Sequence, residues 1–354
     1  MSAPKAPASS STGARLLARR SWVDALISGI DRLPGPAWLF YALGTIVFIA
    51  GNVGLRWLDG SQPIGGVDAA VLIFSVLTLY GLAAAHFLRR AARRSLAAFR
   101  PALGDAENAY PELESRLTNM SPAAALAAVV VALGIEAAGV LFSPTGWGIS
   151  STAAPVTNGF TLVQEAIFGV FFSTFIIRAI QQLAVIVLIH RRATNINLYA
   201  REPNIAFSRL TLSTSIAVTV PFALANTLAA VEAGISPFEV GLLATVILIS
   251  IALFVLPLNG MHRRLLQIRE SMMAESNRRF ESAVLALHRS VDTSDYASAD
   301  ALGKTMAALT VEADRLNRLS TWPWRAETLR RFLSAIALPI VLWTITTLLG
   351  RFVL

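Results

Sequence analysis

Residues 67–94 read VDAAVLIFSVLTLYGLAAAHFLRRAARR, and this stretch decides the fold. From Ala69 to Leu88 no Lys, Arg, Asp or Glu interrupts the apolar run. Twenty helical residues rise about 30 Å, the thickness of a bilayer's hydrocarbon core. A helix is the expected form, because a lone segment in hydrocarbon must satisfy its own backbone hydrogen bonds. The run ends on Arg89, Arg90, Arg93 and Arg94. Four cations at one end mark that end as cytoplasmic under the positive-inside rule.

The same pattern repeats outward from this segment. Hydropathy predicts seven spans: Trp38–Leu55, Val67–Leu88, Pro122–Phe142, Leu162–Ile189, Leu210–Val231, Val240–Leu258 and Phe332–Gly350. The weak alternation of a membrane β-barrel is absent. Of the 30 basic residues, 27 fall before span 1, between spans 2 and 3, between spans 4 and 5, or between spans 6 and 7. The intervening loops 57–66, 141–161 and 232–239 carry none, with Arg56 at one edge. The expected fold is therefore an all-α polytopic membrane helix bundle of about seven spans, N-terminus inside and C-terminus outside. A false span would break the alternation of basic and non-basic loops.

Composition agrees. The chain has 354 residues, 55% hydrophobic and 15% charged, with mean hydropathy +0.58. A soluble domain carries about 25% charged residues, so a single soluble domain is excluded. The net charge of +8 and pI of 10.7 are accounted for by topology, and no nucleic-acid partner is needed to explain them. There are no cysteines, which excludes disulfides, Cys-ligated zinc, iron–sulfur clusters and thiol catalysis. Only Lys5 and Lys304 are lysine. Arginine and alanine in this excess point to a GC-rich genome and to a prokaryotic cell membrane.

The chain outside the spans divides further. Residues 1–12 are small and polar, the composition of a disordered tail, and no signal peptide is expected because the first long apolar run starts near residue 38. Residues 13–36 place Leu16, Trp22, Val23, Leu26, Ile27 and Ile30 at helical spacing among Arg15, Arg19 and Arg20. That predicts an amphipathic helix, either lying on the inner leaflet or packed on the inside part of the protein. Residues 37–262 hold spans 1–6 with short loops. The arginines after span 2 serve as a topology anchor and attract anionic lipids at about 1 kcal/mol each.

Residues 263–320 predict a cytoplasmic helical hairpin. Leu266, Met273, Phe280 and Leu287 repeat every seven residues, with Val284 and Val291 beside them. After the turn-rich stretch 292–298, Leu302, Met306, Leu309, Ala313 and Leu316 form a second narrow stripe. Such coiled-coil-like stripes pack on each other, on neighbouring inside loops, or on another subunit. A homo-oligomer joined through these helices is expected. Residues 321–354 form an interfacial elbow, Trp322, Pro323, Trp324 and Arg325, leading into span 7. Pro323 stops the helix and the indoles favour the membrane interface.

Two stretches carry a resemblance. Ile196-Asn-Leu-Tyr199 with Pro203 and Ala206-Phe-Ser-Arg-Leu-Thr211, and Thr321-Trp-Pro-Trp-Arg325 with the Glu327-Thr-Leu-Arg330 that follows and with Leu333, Ser334, Leu338 and Pro339, resemble an uncharacterised family of multi-pass membrane proteins from bacteria and archaea. The resemblance spans the last half of the chain. It implies a membrane protein and carries over no activity and no site residue.

Ionisable and polar groups inside spans are candidate site residues, because burying them is costly. They are Asn52, Glu136, Glu165, Arg178 and Asn226. Arg178 lies in the inner half of span 4, too deep for easy snorkelling, and neither glutamate is level with it. One reading is an outward-opening polar cavity lined by Asn52, Glu136, Glu165 and Asn226 with Arg178 at its base. The other is interhelical hydrogen bonding that fixes packing. Thr344, Thr347 and Arg351 share one face of span 7 as a candidate pore stripe, or the threonines bond their own helix. Pro221, Pro257 and Pro339 interrupt spans 5, 6 and 7. His86, His190 and His262 each stand just before an arginine pair at an inside span end, where polar groups complement the helix dipole. No metal-ligand spacing is present, and HExxH, GxSxG, the P-loop and GxGxxG are all missing. No catalytic residue, no cofactor and no enzyme activity are expected.

Three functions fit. A channel- or receptor-like oligomer comes first: seven spans, an inside N-terminus and a long inside segment before the last span are similar in layout to insect chemoreceptor ion channels. A non-conducting sensor or scaffold that binds a protein or lipid through the hairpin is the second. A small-solute transporter using the Glu136 and Arg178 region is the third.

Overall fold

The computed structural model describes residues 21–142, 153–233 and 237–353, with the side chains of 226–239 and of most residues beyond 337 outside that description. The tail 1–12 and the start of the amphipathic segment lie outside the described residues. The described residues are 85% helical, with no strand among them. Helices run in the order α1 (Trp22–Ile30), α2 (Ala37–Leu58), α3 (Ala69–Leu77), α4 (Tyr80–Phe99), α5 (Tyr110–Thr118), α6 (Pro122–Phe142), α7 (Pro155–Arg192), α8 (Arg201–Asn204), α9 (Ser208–Ala233), α10 (Pro237–Asp292), α11 (Tyr296–Arg318) and α12 (Ala326–Val353).

Among the described residues six helical segments are long and apolar enough to cross a membrane: Ala37–Leu58, Ala69–Ala102, Gly104–Phe142, Pro155–Arg192, Arg201–Ala225 and Val240–Asp292. They coincide with spans 1–6. The chain has the make-up of a multi-pass membrane protein. Their outer surfaces are apolar: Leu126, Val130, Leu133 and Ile135 of α6 are all exposed. Hydrocarbon tails solvate such side chains, so helix association there rests on close packing of small residues. The seventh expected span falls in α12, a 28-residue helix most of whose side chains lie outside the description.

α7 is the hub, packing on α2, α3, α4, α5, α6, α9 and α10. The densest core lies at one end of the bundle. Phe99, Leu103, Leu113, Leu117, Met120 and Phe207 are fully buried there. The turns after α4 and α7 clip together at this end: Thr194 N and Asn195 N donate to Leu103 O and Ala102 O, and Asp105 N donates to Thr194 Oγ1 at 3.0 Å. Gly104 makes the clip possible. Its φ is +57°, and a Cβ there would stand 2.4 Å from Thr194 Oγ1, so only glycine fits. Cross-links between Arg192 and Glu112, Arg93 and Glu114, and Arg325 and Glu202 belong to the same end, which holds the basic segments.

The opposite end is sparer. Trp57 Nε1 donates to Gly66 O at 2.7 Å. Asp59 accepts from Thr157 Oγ1 at 2.5 Å and from Ala154 N at 3.0 Å. Hydrogen bonds from Ser61 and Thr157 hold the Asp59 carboxyl well below the usual carboxylate range.

α10 runs 56 residues without interruption, so one helix carries the apolar segment of span 6 on into the hairpin segment. Its second half turns at 293–295 into α11, and the two pack along each other. Asp295 caps α11 by accepting from Ser298 N at 3.1 Å. The two stripes meet only in part. Leu316 is fully buried, Val284, Leu287, Leu302, Met306, Leu309 and Ala313 are half-buried, and Phe280 and Val291 are exposed.

Candidate functional site

Arg178 sits where three elements meet. Helix α1 starts with Ser21 as its N-cap, whose hydroxyl accepts from Asp24 N at 3.2 Å and donates to Asp24 Oδ2 at 2.8 Å. Such a cap satisfies orphan donors of the first turn. Asp24 is thereby turned inward and is fully buried beside Val23, Ile27 and Ile30. It accepts from Met120 N at 2.9 Å and from Arg178 Nη1 at 3.1 Å. Arg178 Nη2 also donates to Thr118 O, and Gln182 Nε2 donates to Leu117 O at 3.1 Å. Those carbonyls are the orphan acceptors at the C-terminus of α5, where the helix dipole favours a cation. Arg178 is thus the bolt that fastens α1 and α5 to the hub helix. Its guanidinium is spent on Asp24 and the Thr118 carbonyl.

A second polar node lies in the other half of the bundle. Span 2 is not one helix: α3 ends at Leu77 and α4 begins at Tyr80. At this break Gln164 Nε2 donates to Ser75 Oγ at 3.1 Å and to Thr78 Oγ1 at 3.0 Å. Its Oε1 accepts from Asn52 Nδ2 at 3.0 Å, and Asn52 Oδ1 accepts from Arg56 Nε at 3.0 Å. Tyr80, the first residue after the break, donates to Ala217 O at 2.8 Å. Ala217 is four residues before Pro221, so its carbonyl has no N–H partner within α9. The phenol replaces the missing donor. Tyr80→Phe is expected to cost about 0.5–1.5 kcal/mol, read by detergent denaturation of the purified protein. In a Pro221→Ala background, where the helix supplies its own donor, the cost should shrink. An undiminished cost there would show that the hydroxyl does something else.

The remaining candidates separate. Glu136 on α6 and Glu165 on α7 come together, each with a buried carboxyl oxygen that lacks a hydrogen-bond partner among the described residues. Arg178 is thirteen residues from Glu165 along α7, about 20 Å away. The expected cavity of Asn52, Glu136, Glu165 and Arg178 is therefore three separate arrangements. The Asn226 side chain lies outside the described residues, as do those of Thr347 and Arg351. Thr344 is exposed and donates to Ile340 O at 2.7 Å within its own helix.

The elbow is an aromatic ladder. The His262 ring stacks on Trp322 at 3.8 Å, with 1° between planes. Trp322 stacks on Trp324 at 4.3 Å, Trp324 on Phe254 at 5.3 Å, and Phe254 on Phe332 at 4.3 Å. Pro323 is buried between the two indoles in sequence, and Arg325 pairs with Glu202. The ladder fixes α12 against α10.

Each span-end histidine ties its helix to another segment. His86 Nε2 lies 3.0 Å from Asp31 Oδ1, and its Nδ1 lies 3.0 Å from Tyr41 Oη. Partial burial pushes the Asp31 carboxyl up, but Arg90 and His86 outweigh it and hold it below its ordinary value. His190 Nδ1 bonds Pro257 O at 3.2 Å, and His262 Nδ1 bonds Thr321 O at 3.1 Å. Among the described residues no group of three or more His, Asp or Glu stands close enough to hold a metal ion.

Apolar cavities open on the surface, two of them bounded by described residues. One of about 610 Å³ is lined by Trp22, Leu26, Ile30, Leu33 and Phe40. The other, about 360 Å³, lies at the span 2 break between Tyr41, Thr45, Val76, Leu79 and Tyr80. Neither includes any of the five intramembrane candidates. Sequence reading missed Asp24, Ser75, Thr78, Tyr80, Gly81 and Gln164. Asp24 alone carried a signal, as an acid on the apolar face of a short helix. No protein-family model, curated protein or solved structure matches this chain.

Proposed function

We propose that this chain is the subunit of an oligomeric, channel- or receptor-like membrane module with seven spans, its N-terminus and the α10–α11 hairpin in the cytoplasm, and its C-terminus outside. The supporting observation is the apolar stripe of α10 and α11. Phe280 and Val291 of the α10 stripe stay exposed on charged helices whose ion pairs are internal, such as Arg279 with Glu275 and Lys304 with Asp300. A second copy presenting the same stripe can cover these two side chains. Topology is supported by the gathering of the basic segments at one end of the bundle. In this arrangement α12 faces the assembly's axis. The resemblance to the prokaryotic membrane family agrees with this class and adds no activity.

The non-conducting sensor or scaffold is favoured by one observation: among the described residues the side chains of Arg178, Asn52 and Gln164 are bonded to other protein groups. A transporter that uses Glu136 and Arg178 together is not supported, because they occupy different depths and different helix seams.

The cysteine-free sequence makes the test direct. In intact cells a cysteine placed at Gly60 should react with a membrane-impermeant maleimide, and one placed at Ala286 should not. Light scattering of the full chain in nanodiscs should give a multiple of the 37.9 kDa subunit mass. A monomer would sink the oligomer. Ion flux through reconstituted vesicles then separates a channel from a scaffold of the same stoichiometry.

A further inference from the structure

The seam between α6 and α7 sets two carboxyl groups against each other. Its inner part is built from small residues: Ala125, Ala128 and Ala132 are all buried on α6. A Cβ placed on Gly169 of α7 would meet Ala132 Cβ at 3.7 Å, so residues 132 and 169 lie opposite. The helices are consecutive and antiparallel. One turn further towards the connecting loop, residue 136 therefore faces residue 165. The alanine seam thus ends on Glu136 facing Glu165. Glu165 is only 8% exposed, and Glu165 Oε2 and Glu136 Oε1 are both buried without a hydrogen-bond partner among the described residues. Glu136 is the one charged residue of α6.

Two carboxylates cannot both stay ionised side by side in an apolar seam, since each would be desolvated next to a like charge. A cation would require more than these two ligands, because an alkali or alkaline-earth ion takes six or more oxygens and the adjacent Gln164 amide is committed to Asn52, Ser75 and Thr78. A single proton needs only one oxygen from each carboxyl, and one orphan oxygen is present on each. We infer that Glu136 and Glu165 form a proton-binding pair that holds one shared proton within the membrane, near the α6–α7 loop.

Other charges are spoken for. From α2, Arg56 is bonded to Asn52 and Asp59 to Thr157. Asp68 caps α3 through Ala70 N at 2.8 Å. Asp24, Arg89, Glu114, Arg116, Arg209 and Arg264, on the other elements around α6 and α7, belong to the opposite end of the bundle. The pair is independent of oligomeric state, so it stands or falls separately from the proposed function.

Dicyclohexylcarbodiimide tests the pair in the full chain reconstituted in vesicles. The reagent takes only the protonated acid: the carboxyl oxygen bonds to the central carbodiimide carbon, and the acid proton moves to a nitrogen. At neutral pH, mass spectrometry should find one adduct per chain, on Glu136 or Glu165. In Glu136→Gln, labelling of Glu165 should fall off at a pH lower by at least one unit, a tenfold loss in proton affinity. The infrared band of a protonated carboxyl should persist at neutral pH in the unmodified protein and disappear in Glu136→Gln/Glu165→Gln, a readout that does not depend on reagent access. Absence of that band overturns the proposal. So does a labelling midpoint unchanged by Glu136→Gln, which would make burial alone responsible. Suppression of labelling by sodium but not by choline at fixed pH would also overturn it, in favour of an alkali-cation site.

Discussion

Asp24→Ala should destabilise the protein by about 3–5 kcal/mol, because it leaves the Arg178 guanidinium buried and unpaired. Both side chains are nearly free of solvent, at 3% and 1% exposure, so neither can turn to water. The readout is the folded fraction during denaturation with a harsh detergent. α1 should detach first, since Asp24 is its polar contact with the hub and with Met120 N. Removing both charges in Asp24→Leu/Arg178→Met should recover much of the loss, as apolar replacement of a buried pair is close to neutral. Recovery should be incomplete, because Thr118 O and Met120 N lose their partners at about 1–3 kcal/mol for each group left unsatisfied. If the double variant is as unstable as the single one, the pair is not what holds α1.

Gly81→Ala should be among the most damaging single methyls in the bundle. The added Cβ would stand 2.5 Å from the Phe171 carbonyl carbon and oxygen. Those are backbone atoms of the hub helix and cannot rotate away, so α4 must move bodily. Overpacking of this kind costs about 1–3 kcal/mol, and Gly81→Val should abolish folding. Gly54 on α2 is the control. A Cβ there meets nothing within 4 Å, and Gly54→Ala should raise stability by up to about 1 kcal/mol through helix propensity. Equal effects at the two sites would show that α4 and α7 are not in this contact. Tyr80 and Gly81, immediately after the break at Thr78–Leu79, are each placed against a specific backbone group, Ala217 O and the Phe171 carbonyl.

The helical class and six helices long and apolar enough to cross a membrane were legible, since apolar run length against bilayer thickness is a one-dimensional property. The side-chain partners were not. Arg178 read as an intramembrane oddity, because its partner lies 154 residues away on a helix outside the spans. Thr78 carries no breaker signature. At the break Gln164, itself held by Asn52, bonds Ser75 and Thr78, a partner that only the folded chain brings there. The level pairing of Glu136 with Glu165 was within reach, because antiparallel neighbours joined by a loop must match depths. Their placement in a separate seam from Asn52 was not, because which face α6 turns to α7 depends on where Ala125, Ala128 and Ala132 bury.

The uninterrupted α10 has a mechanical consequence. Pro257 is clasped by His190 through its carbonyl, and Arg264, seven residues on, donates to Ala193 O at 2.8 Å. Some 35 residues follow Pro257 before the turn, about 52 Å of rod at 1.5 Å per residue. With the clasp as fulcrum, a tilt of about 5° in the apolar half swings the far tip by roughly 4–5 Å. That is the scale of a one-turn slip between packed helices. Span 6 and its extension together form a geared lever, in which sub-ångström motion near the clasp becomes a change of partner at the tip.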